Sequence, residues 1–489
     1  MEKEAKNLTK PLLTDEEGVS TAPLFPLRDK ELPPIMREIV TNAPSNRKIP
    51  SLVACLPPLC AIATRIRLDY YYDSRPSALL LQVIIEGAQS SGKSYAADIE
   101  NLIMRPTLKL RDKQQRDIEK EYREKKKRRS QNKELEEEPK TTIRVIPATI
   151  SKTVITKRAD FYERILGDTL TFWMFAEELA QVTDAGKQGY SNLRTIMRTA
   201  YDLGSEFGMD FASDNSYSAI VDINICSMFC ATESAVDDYM DKKAIEGGNC
   251  TRQIICHIGD ELGAEGAMFK PYDERQTATI NEMLGKMMAD TYDGNGNLCP
   301  LIQLDTRWID STVQRWCREK GTQALLSGSS AIDVFRKRSS VSAFRCAALC
   351  FYLYLLEAGI DCRKEIPMDD PRVRRAIRNS KKLYLFMADF ILQSMLNRWG
   401  ARFEELNAKR VEEHSKPQEP TLFDELTTDF TRDQLKALLQ KRQRTTPARV
   451  FICQWQKRKL IQSMGDNRYR KMPKQDKSNP SNNNDGDVF

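Results

Sequence analysis

Histidine is scarce in this sequence, and the cysteines are not spaced for metal binding. Histidine occurs twice in 489 residues, as His257 and His414, and the twelve cysteines include no C-x-x-C pair. A structural zinc site needs clusters of these ligands, so the sequence argues against one. Most cysteines lie within apolar runs such as NICSMFC and FRCAALC. Free thiols buried in a reducing cytoplasm are therefore expected, in place of disulfides.

Long apolar runs are also missing. A membrane-spanning helix needs about 20 apolar residues, whereas the longest apolar run, residues 346–356, makes about three helical turns. The first residues, MEKEAKNLTKPLLTDEEG, are polar and mixed in charge, which is not typical of a signal peptide. The sequence thus predicts a soluble cytoplasmic protein with no membrane partner, in which residues 346–356 belong to a buried core helix.

Charge is unevenly distributed along the chain. The whole sequence carries +6, but residues 432–474 contain thirteen Lys or Arg and two Asp, a net charge of +11, so the remaining residues sum to −5. A basic terminal module on a slightly acidic body is typical of nucleic-acid contact, because cationic side chains release counterions from the phosphate backbone. We therefore expect DNA as a partner.

One stretch fits the phosphate-binding pattern G-x-x-x-x-G-K-[ST] at every fixed position. An apolar, β-rich run at residues 79–86 leads into it, and a helical segment at 95–104, stopped by Pro106, follows it. Glycines let the chain approach phosphates, which bind to backbone N–H groups and to the positive end of a helix. A simple Gly/Ser turn with a surface lysine is the alternative. The predicted nucleotide-binding residues are Gly87, Ala88, Gln89, Ser90, Ser91, Gly92, Lys93 and Ser94.

Two adjacent acids follow a second apolar run. Residues 169–176 are typical of a central strand in a covered parallel sheet, and Glu177 and Glu178 come next. In a phosphate-loop enzyme the strand beside the loop ends in an acid that helps to hold Mg²⁺, often followed by a glutamate that orients the attacking water. We predict that Ser94 and Glu177 hold Mg²⁺. Glu177 is expected to act through water, because Asp is usual at its position. Glu178 is predicted to polarise the attacking water, and Lys93 to contact the β- and γ-phosphates. The alternative is a solvated helix start, whose acids simply favour the helix dipole.

Two further residues are candidates for catalysis. Thr232 follows a third apolar run, residues 221–231, where it is either a sensor of the γ-phosphate or the cap of the next helix. Arg252 follows the glycine pair of GGNCTR and is either a finger that reaches the phosphate of a neighbouring subunit or a member of a structural ion pair. The role of Arg252 as a finger in a neighbouring subunit requires a homo-oligomer, either a ring or a dimer.

Composition shifts divide the chain into five parts. Residues 1–45 are predicted to be a mobile arm, 46–265 an ATPase core, 266–414 a helical lid or extension, 420–474 a basic module, and 475–489 a disordered tail. The core contains a charged insertion at 107–140, which is read as a solvated helix, with DNA contact as the alternative.

The sequence of the basic module predicts a definite order of helices and strands. Thr431 and Gln434 form a capping box, Pro447 begins a second helix, and a Gly-Asp-Asn turn at 465–467 joins two short strand-like flanks. Helix, turn, helix and hairpin predict a winged-helix-like module, with a protein-contact module as the alternative. The predicted DNA-binding residues are Gln454, Lys457, Arg458 and Lys459 on the second helix, and Arg468, Arg470 and Lys471 on the wing.

Four motifs, GAQSSGKS, FWMFAEEL, YSNLRTIMRTAYD with the following GMDF, and GGNCTRQIICH, occur in this order. In this the chain resembles an uncharacterised family of phosphate-loop ATPases from bacterial mobile elements and prophages, which are often fused to primase-type domains or encoded beside them. The resemblance covers residues 30 to 400 approximately and implies a RecA/AAA-like core, ATP and Mg²⁺, and a role in element replication. The sequence has neither room for a primase domain upstream of the core nor a zinc-binding pattern, so priming would need a partner protein.

The expected fold is therefore an α/β P-loop NTPase, a RecA/AAA-like parallel sheet with flanking helices, followed by a helical region and a winged-helix-like module. The expected function is an ATP-hydrolysing, DNA-dependent motor or replication-initiation ATPase of the helicase kind. Two alternatives stay open: a DNA-binding regulator that uses ATP as an assembly switch without translocating, and a P-loop kinase.

Overall fold

The structure is a computed structural model that describes most of the chain and divides it into two compact units, residues 1–405 and 406–489. The sheet of the predicted core and most of the predicted helical extension belong to the first unit. The described residues are 25–71, 73, 76–128, 138–187, 193–210, 217–259, 268–415, 422–442, 447–457 and 459–472.

The strands of the described residues form four sheets. In chain order they are β1 (Ile66–Asp69), β2 (Pro76–Ala78), β3 (Gln82–Gly87), β4 (Val145–Pro147), β5 (Thr171–Ala176), β6 (Glu206–Met209), β7 (Ala219–Asp222), β8 (Asn224–Ala231), β9 (Ile254–Ile258), β10 (Ile302–Leu304), β11 (Asp429–Thr431), β12 (Ile461–Gly465) and β13 (Arg468–Lys471).

The α-helices flank and extend these sheets. They are α1 (Pro34–Asn42), α2 (Lys48–Ile62), α3 (Ser94–Met104), α4 (Leu110–Arg128), α5 (Lys152–Leu166), α6 (Leu179–Lys187), α7 (Leu193–Thr199), α8 (Glu233–Tyr239), α9 (Lys242–Glu246), α10 (Glu274–Thr291), α11 (Asp310–Ser327), α12 (Ser330–Glu357), α13 (Pro371–Met395), α14 (Ala401–Ser415), α15 (Leu422–Glu425), α16 (Arg432–Lys441) and α17 (Ala448–Lys457).

The main sheet of the first unit has five parallel strands in the order β4-β5-β8-β3-β9. Every residue of β3 and β8 is buried, as expected for parallel strands covered on both faces. The structure confirms the mixed α/β class with a parallel sheet that the sequence predicts. Because the strands are parallel, β3, β5, β8 and β9 all end at one edge of the sheet, which we call the carboxyl edge.

Helix α2 is continuous although Pro57 and Pro58 lie inside it, and strand β1 follows it. Apart from Lys48, every residue of α2 is buried, so burial on all sides outweighs the hydrogen bonds that the prolines cannot donate. The run 221–231 is interrupted at Ile223, between β7 and β8, and β5 begins at Thr171, two residues later than expected.

The charged insertion is anchored to the sheet. Helix α4 carries Asp112, which is 2% exposed and accepts hydrogen bonds at Oδ2 from the backbone N–H groups of Arg144, at 2.7 Å, and Val145, at 2.5 Å. Burial raises the pKa of the Asp112 carboxyl. The predicted solvated helix is therefore exposed over much of its length but fixed at its start, while residues 129–137 lie outside the described part of the chain.

Helix α12 is long and apolar enough to cross a membrane by length and composition, but 94% of its most apolar window is buried inside the fold. It contains the apolar run 346–356 and contacts α13 and α11. The interpretation of this run as a core helix is confirmed.

The second unit contains a three-stranded antiparallel sheet, β11-β13-β12, with helices α16 and α17. The capping box of Thr431 and Gln434 is formed at the start of α16. The β12–β13 turn has positive φ at Gly465, Asp466 and Asn467. A core of Leu, Ile, Phe and Trp side chains that includes Leu435 and Trp455 packs between these elements.

Candidate functional site

The phosphate-loop motif joins the end of β3 to the start of α3. Gly92 has φ +76° and Ser90 has φ +62°, so two residues of the loop adopt the left-handed conformation that bends the chain sharply. A Cβ at Gly87 would lie 2.6 Å from Ser91 Oγ, so a side chain there would force the Ser91 hydroxyl to move. Strand, loop and helix thus come in the order that the motif requires, at the carboxyl edge.

Lys93 is folded back onto the loop. Its Nζ donates hydrogen bonds to Gly87 O at 2.9 Å and to Ala88 O, and lies 3.4 Å from Ser91 Oγ. No side chain caps the start of α3, and Ser94, its first residue, is exposed. A positive helix end without a side-chain cap, next to an ammonium group, is chemically suited to a phosphate.

Arg47, which sequence reasoning missed, fixes the outer part of the loop. It is 5% exposed, and its guanidinium donates to Ser91 O at 3.2 Å and to Gly259 O, beyond the end of β9, at 3.3 Å. The arginine therefore ties the loop to the neighbouring strand's end. Nothing in its local sequence, SNRKIP, marks this role, because both partners are distant in the chain.

The acids at 177 and 178 follow β5 at the same edge, but β5 is not the strand beside the loop. Strand β8 lies between β5 and β3, with Ala176 opposite Phe229 and Glu86 opposite Ala231. Two strand spacings place the backbones of β5 and β3 about 10 Å apart. The assumption that the acid-bearing strand adjoins the loop strand was therefore wrong, and Glu177 has to reach across β8.

Glu177 and Lys93 both act electrostatically on Cys230. Burial raises the pKa of the Cys230 thiol, near the end of β8, to about 12; the Lys93 charge opposes this shift and the Glu177 charge adds to it. Glu177 and Glu178 are both exposed. Their side chains are therefore free to face a ligand at the carboxyl edge.

Thr232 caps helix α8, as one of its two interpretations predicts. It follows β8, and its Oγ1 accepts a hydrogen bond from Ala235 N at 3.4 Å and lies 3.1 Å from Ser234 Oγ. Because β8 is the strand next to the loop strand, the same position also suits the sensor role, which stays a prediction.

A second group missed by sequence reasoning lies beside the loop strand. Glu86, 1% exposed in β3, accepts a hydrogen bond from Arg398 Nε at 2.8 Å, and His257 Nδ1 lies 3.5 Å from its other oxygen. Arg398 also pairs with Asp237 at 3.0 Å and donates to Glu233 O at 3.1 Å. A π-helical segment, Leu396–Gly400, thus carries an arginine from the helical region to the carboxyl edge.

The contact between Glu86 and His257 raises the pKa of His257 and so makes a contribution to stability that depends on pH. The hydrogen bond with Glu86 is the largest cause that raises the pKa of His257, against partial burial. Because the pKa is raised, the pair stabilises the fold at low pH and this contribution is lost as pH rises through the folded pKa. In an NMR titration of the His414→Gln chain, we expect the remaining His257 signal to titrate above pH 6.5 and Glu86→Gln to lower its midpoint. A midpoint at or below 6.5 with Glu86 intact would contradict the pairing.

Arg252 lies at the opposite edge of the sheet. It precedes β9, whose length separates it from the carboxyl edge by about 15 Å. Its guanidinium donates to Gly248 O at 3.0 Å and lies 4.0 Å from Asp202 Oδ2. The structure therefore does not bring Arg252 to the loop of its own chain, and its action in a neighbouring subunit stays a prediction.

The predicted DNA-binding residues of the second unit differ in their surroundings. Arg470 pairs with Asp429 at 2.7 Å, and Lys471 donates to Leu426 O and lies over the Phe423 ring. Lys459 and Arg468 are exposed. Arg458 lies outside the described residues, as do the side chains of Gln454 and Lys457. Two wing residues are thus already engaged within their own unit.

Within the described ranges, no group of three or more His, Cys, Asp or Glu side chains is arranged to hold a metal ion. The predicted pair of Ser94 and Glu177 would fit Mg²⁺ only together with phosphate oxygens and water, which is the usual way this ion binds beside nucleotides. Compared with known families and proteins, the chain matches no family model and no curated protein.

Proposed function

We propose that the first unit is a phosphate-loop ATPase core of the RecA/AAA-like kind that binds ATP with Mg²⁺ at residues 87–94 and hydrolyses it. The observation that carries this proposal is the strand–loop–helix arrangement of β3 and α3, with the loop at the carboxyl edge that β5 and its acids share. Ligands of open parallel sheets bind at this edge.

Four residues at the carboxyl edge have definite tasks in this proposal. The Lys93 ammonium exchanges two neutral carbonyl acceptors for charged phosphate oxygens, which accept stronger hydrogen bonds. The exposed Ser94 hydroxyl and the Glu177 carboxylate hold the metal side of the nucleotide, and Glu178 takes a proton from the attacking water. Mg²⁺, when bound, would neutralise charge on the phosphate oxygens.

DNA is the proposed effector of this ATPase. Residues 432–474 carry a net charge of +11, and α16, α17 and the β12–β13 hairpin follow one another as in a winged helix. Exposed Lys459 and Arg468 offer cations for phosphate contact. We propose a helicase-like or replication-initiation role in a bacterial mobile element, with a homo-oligomer and a separate primase as partners, as the resemblance of the sequence implies.

The test is the rate of ATP hydrolysis with and without DNA. We expect single- or double-stranded DNA to raise turnover several-fold, and the stimulation to fall as salt is added, because phosphate contacts weaken with ionic strength. Turnover that is unaffected by DNA would favour the regulator or the kinase. Strand displacement of a labelled duplex then separates a translocating enzyme from a switch.

A further inference from the structure

A large cleft lies on the side of the first unit away from the phosphate loop. It has a volume of about 980 Å³, and Ser77, Asp202, Arg318, Arg338 and Arg345 are among its lining residues. Arg345 Nη1 donates to Leu80 O, just ahead of β3, at 2.9 Å. Since the six residues of β3 span about 20 Å, the cleft and the loop are at opposite ends of this strand.

Three arginines share a single carboxylate at this cleft. Asp202 lies 3.5 Å from Arg345 Nη2, 3.4 Å from Arg338 Nη1 and 4.0 Å from Arg252 Nη2. All three distances exceed the 2.7–2.9 Å range that is usual for charge-assisted hydrogen bonds. Within the described part of the chain, none of these arginines pairs with another carboxylate. The cluster therefore carries an excess positive charge that Asp202 does not neutralise.

This charge is held where water compensates for it poorly. The side chains of Arg345 and Arg252 are 2% and 18% exposed, and the Nε of each is buried with no hydrogen-bond partner among the described residues. Arg345 also lies over the Tyr201 ring, 4.3 Å from its centroid. Burial and the nearby Arg338 charge lower the pKa of Arg252. A partly buried cluster of cations whose charge is incompletely neutralised is chemically suited to bind an anion.

The rest of the lining contains the carboxylate of Asp73 and one more cation that is available to a ligand. Arg336 and Lys337 both pair with Asp333, at 2.6 and 2.7 Å. Arg318 is exposed at the cleft and, among the residues that the structure describes, forms no ion pair. Arg318 and Arg338 can therefore both turn to a bound anion.

We propose that this cleft is a second phosphate-binding site, separate from the loop, that takes a nucleotide unit either as free nucleotide or as part of a DNA strand. The planar fork of arginine matches the geometry of phosphate oxygens. The volume is too large for an isolated phosphate and lies within the range of small-molecule pockets. Leu203, Val341 and Tyr70 supply apolar lining for a base or sugar.

The test uses the full chain with Lys93→Ala, so that binding at the loop does not contribute. Thymidine 5′-monophosphate and a single-stranded oligothymidylate are titrated separately by calorimetry. We expect Arg338→Gln and Arg318→Gln each to weaken binding of at least one probe about tenfold, and Asp202→Asn to strengthen it, since its carboxylate competes with the phosphate. Arg307→Gln is the matched control, because this mostly exposed arginine pairs with Asp305 and is not among the lining residues.

The outcomes separate the sources and decide the proposal. Binding of the monophosphate alone, changed by the cleft variants, identifies free nucleotide; the same response with the oligonucleotide alone identifies a DNA strand. The proposal is overturned if neither probe binds, if the cleft variants bind as the control does, or if Asp202→Asn weakens binding as Arg338→Gln does. The exposed Arg318 forms no ion pair with the residues that the structure describes, so Arg318→Gln keeps the test decisive if another variant unfolds. None of these results depends on ATP turnover.

Discussion

Replacing Lys93 with alanine should lower ATP turnover by at least about 100-fold, the loss typical for removal of one group that stabilises transition-state charge. The ammonium at present bonds to the carbonyls of Gly87 and Ala88, and alanine removes this charge from the loop. The measurement is steady-state phosphate release at saturating ATP. Affinity for DNA should stay close to that of the native chain.

The matched control for this variant is Lys286→Ala. Lys286 pairs with Glu282 on helix α10 and is partly exposed, so its removal takes away one positive charge without touching the loop. We expect native turnover from Lys286→Ala and an unchanged thermal midpoint for both variants. Native turnover in Lys93→Ala would show that residues 87–94 are not the site of hydrolysis.

The second large effect is expected at Glu178. Glu178→Gln keeps the shape of the side chain but removes the proton acceptor, and loss of a positioned general base costs about 100-fold or more. Affinity for ATP should change little, because the carboxylate acts on water and not on the nucleotide. Equilibrium binding and single-turnover hydrolysis, measured on the same preparation, separate these two quantities.

Glu177→Gln is the companion variant, because the two acids are adjacent and both are exposed. We expect it to raise the Mg²⁺ concentration that gives half-maximal turnover, with partial recovery at high Mg²⁺, which Glu178→Gln should not show. If both variants behave as the native chain, the acids only favour the start of helix α6. If Glu177→Gln alone abolishes hydrolysis, the two roles are exchanged.

Local sequence patterns predicted the local structure well. Thr431 and Gln434 form their capping box, and the phosphate-loop motif connects a buried strand to a helix. Each of these depends on residues only a few positions apart, so a short pattern contains the whole interaction. The prediction of helix starts, turns and the candidate nucleotide loop needed nothing more.

Long-range order could not be obtained in this way. No local pattern states that β8 lies between β3 and β5, so the strand that leads to Glu177 was wrongly expected beside the loop strand. The pair of Arg398 with Glu86 joins residues 312 positions apart, and Arg47 meets Gly259 across 212. Such contacts arise when separate elements pack together, and the residue types involved are common on any surface.

Asp112, which anchors the charged insertion, also covers one edge of the main sheet. Strand β4 is an outermost strand of the main sheet, and an outermost strand normally offers its backbone donors to a strand from another molecule. Asp112 already accepts from the N–H groups of Arg144 and Val145. A second copy of the chain that paired with β4 would therefore have to displace Asp112 from these two donors, so the side chain protects this edge of the sheet against strand addition.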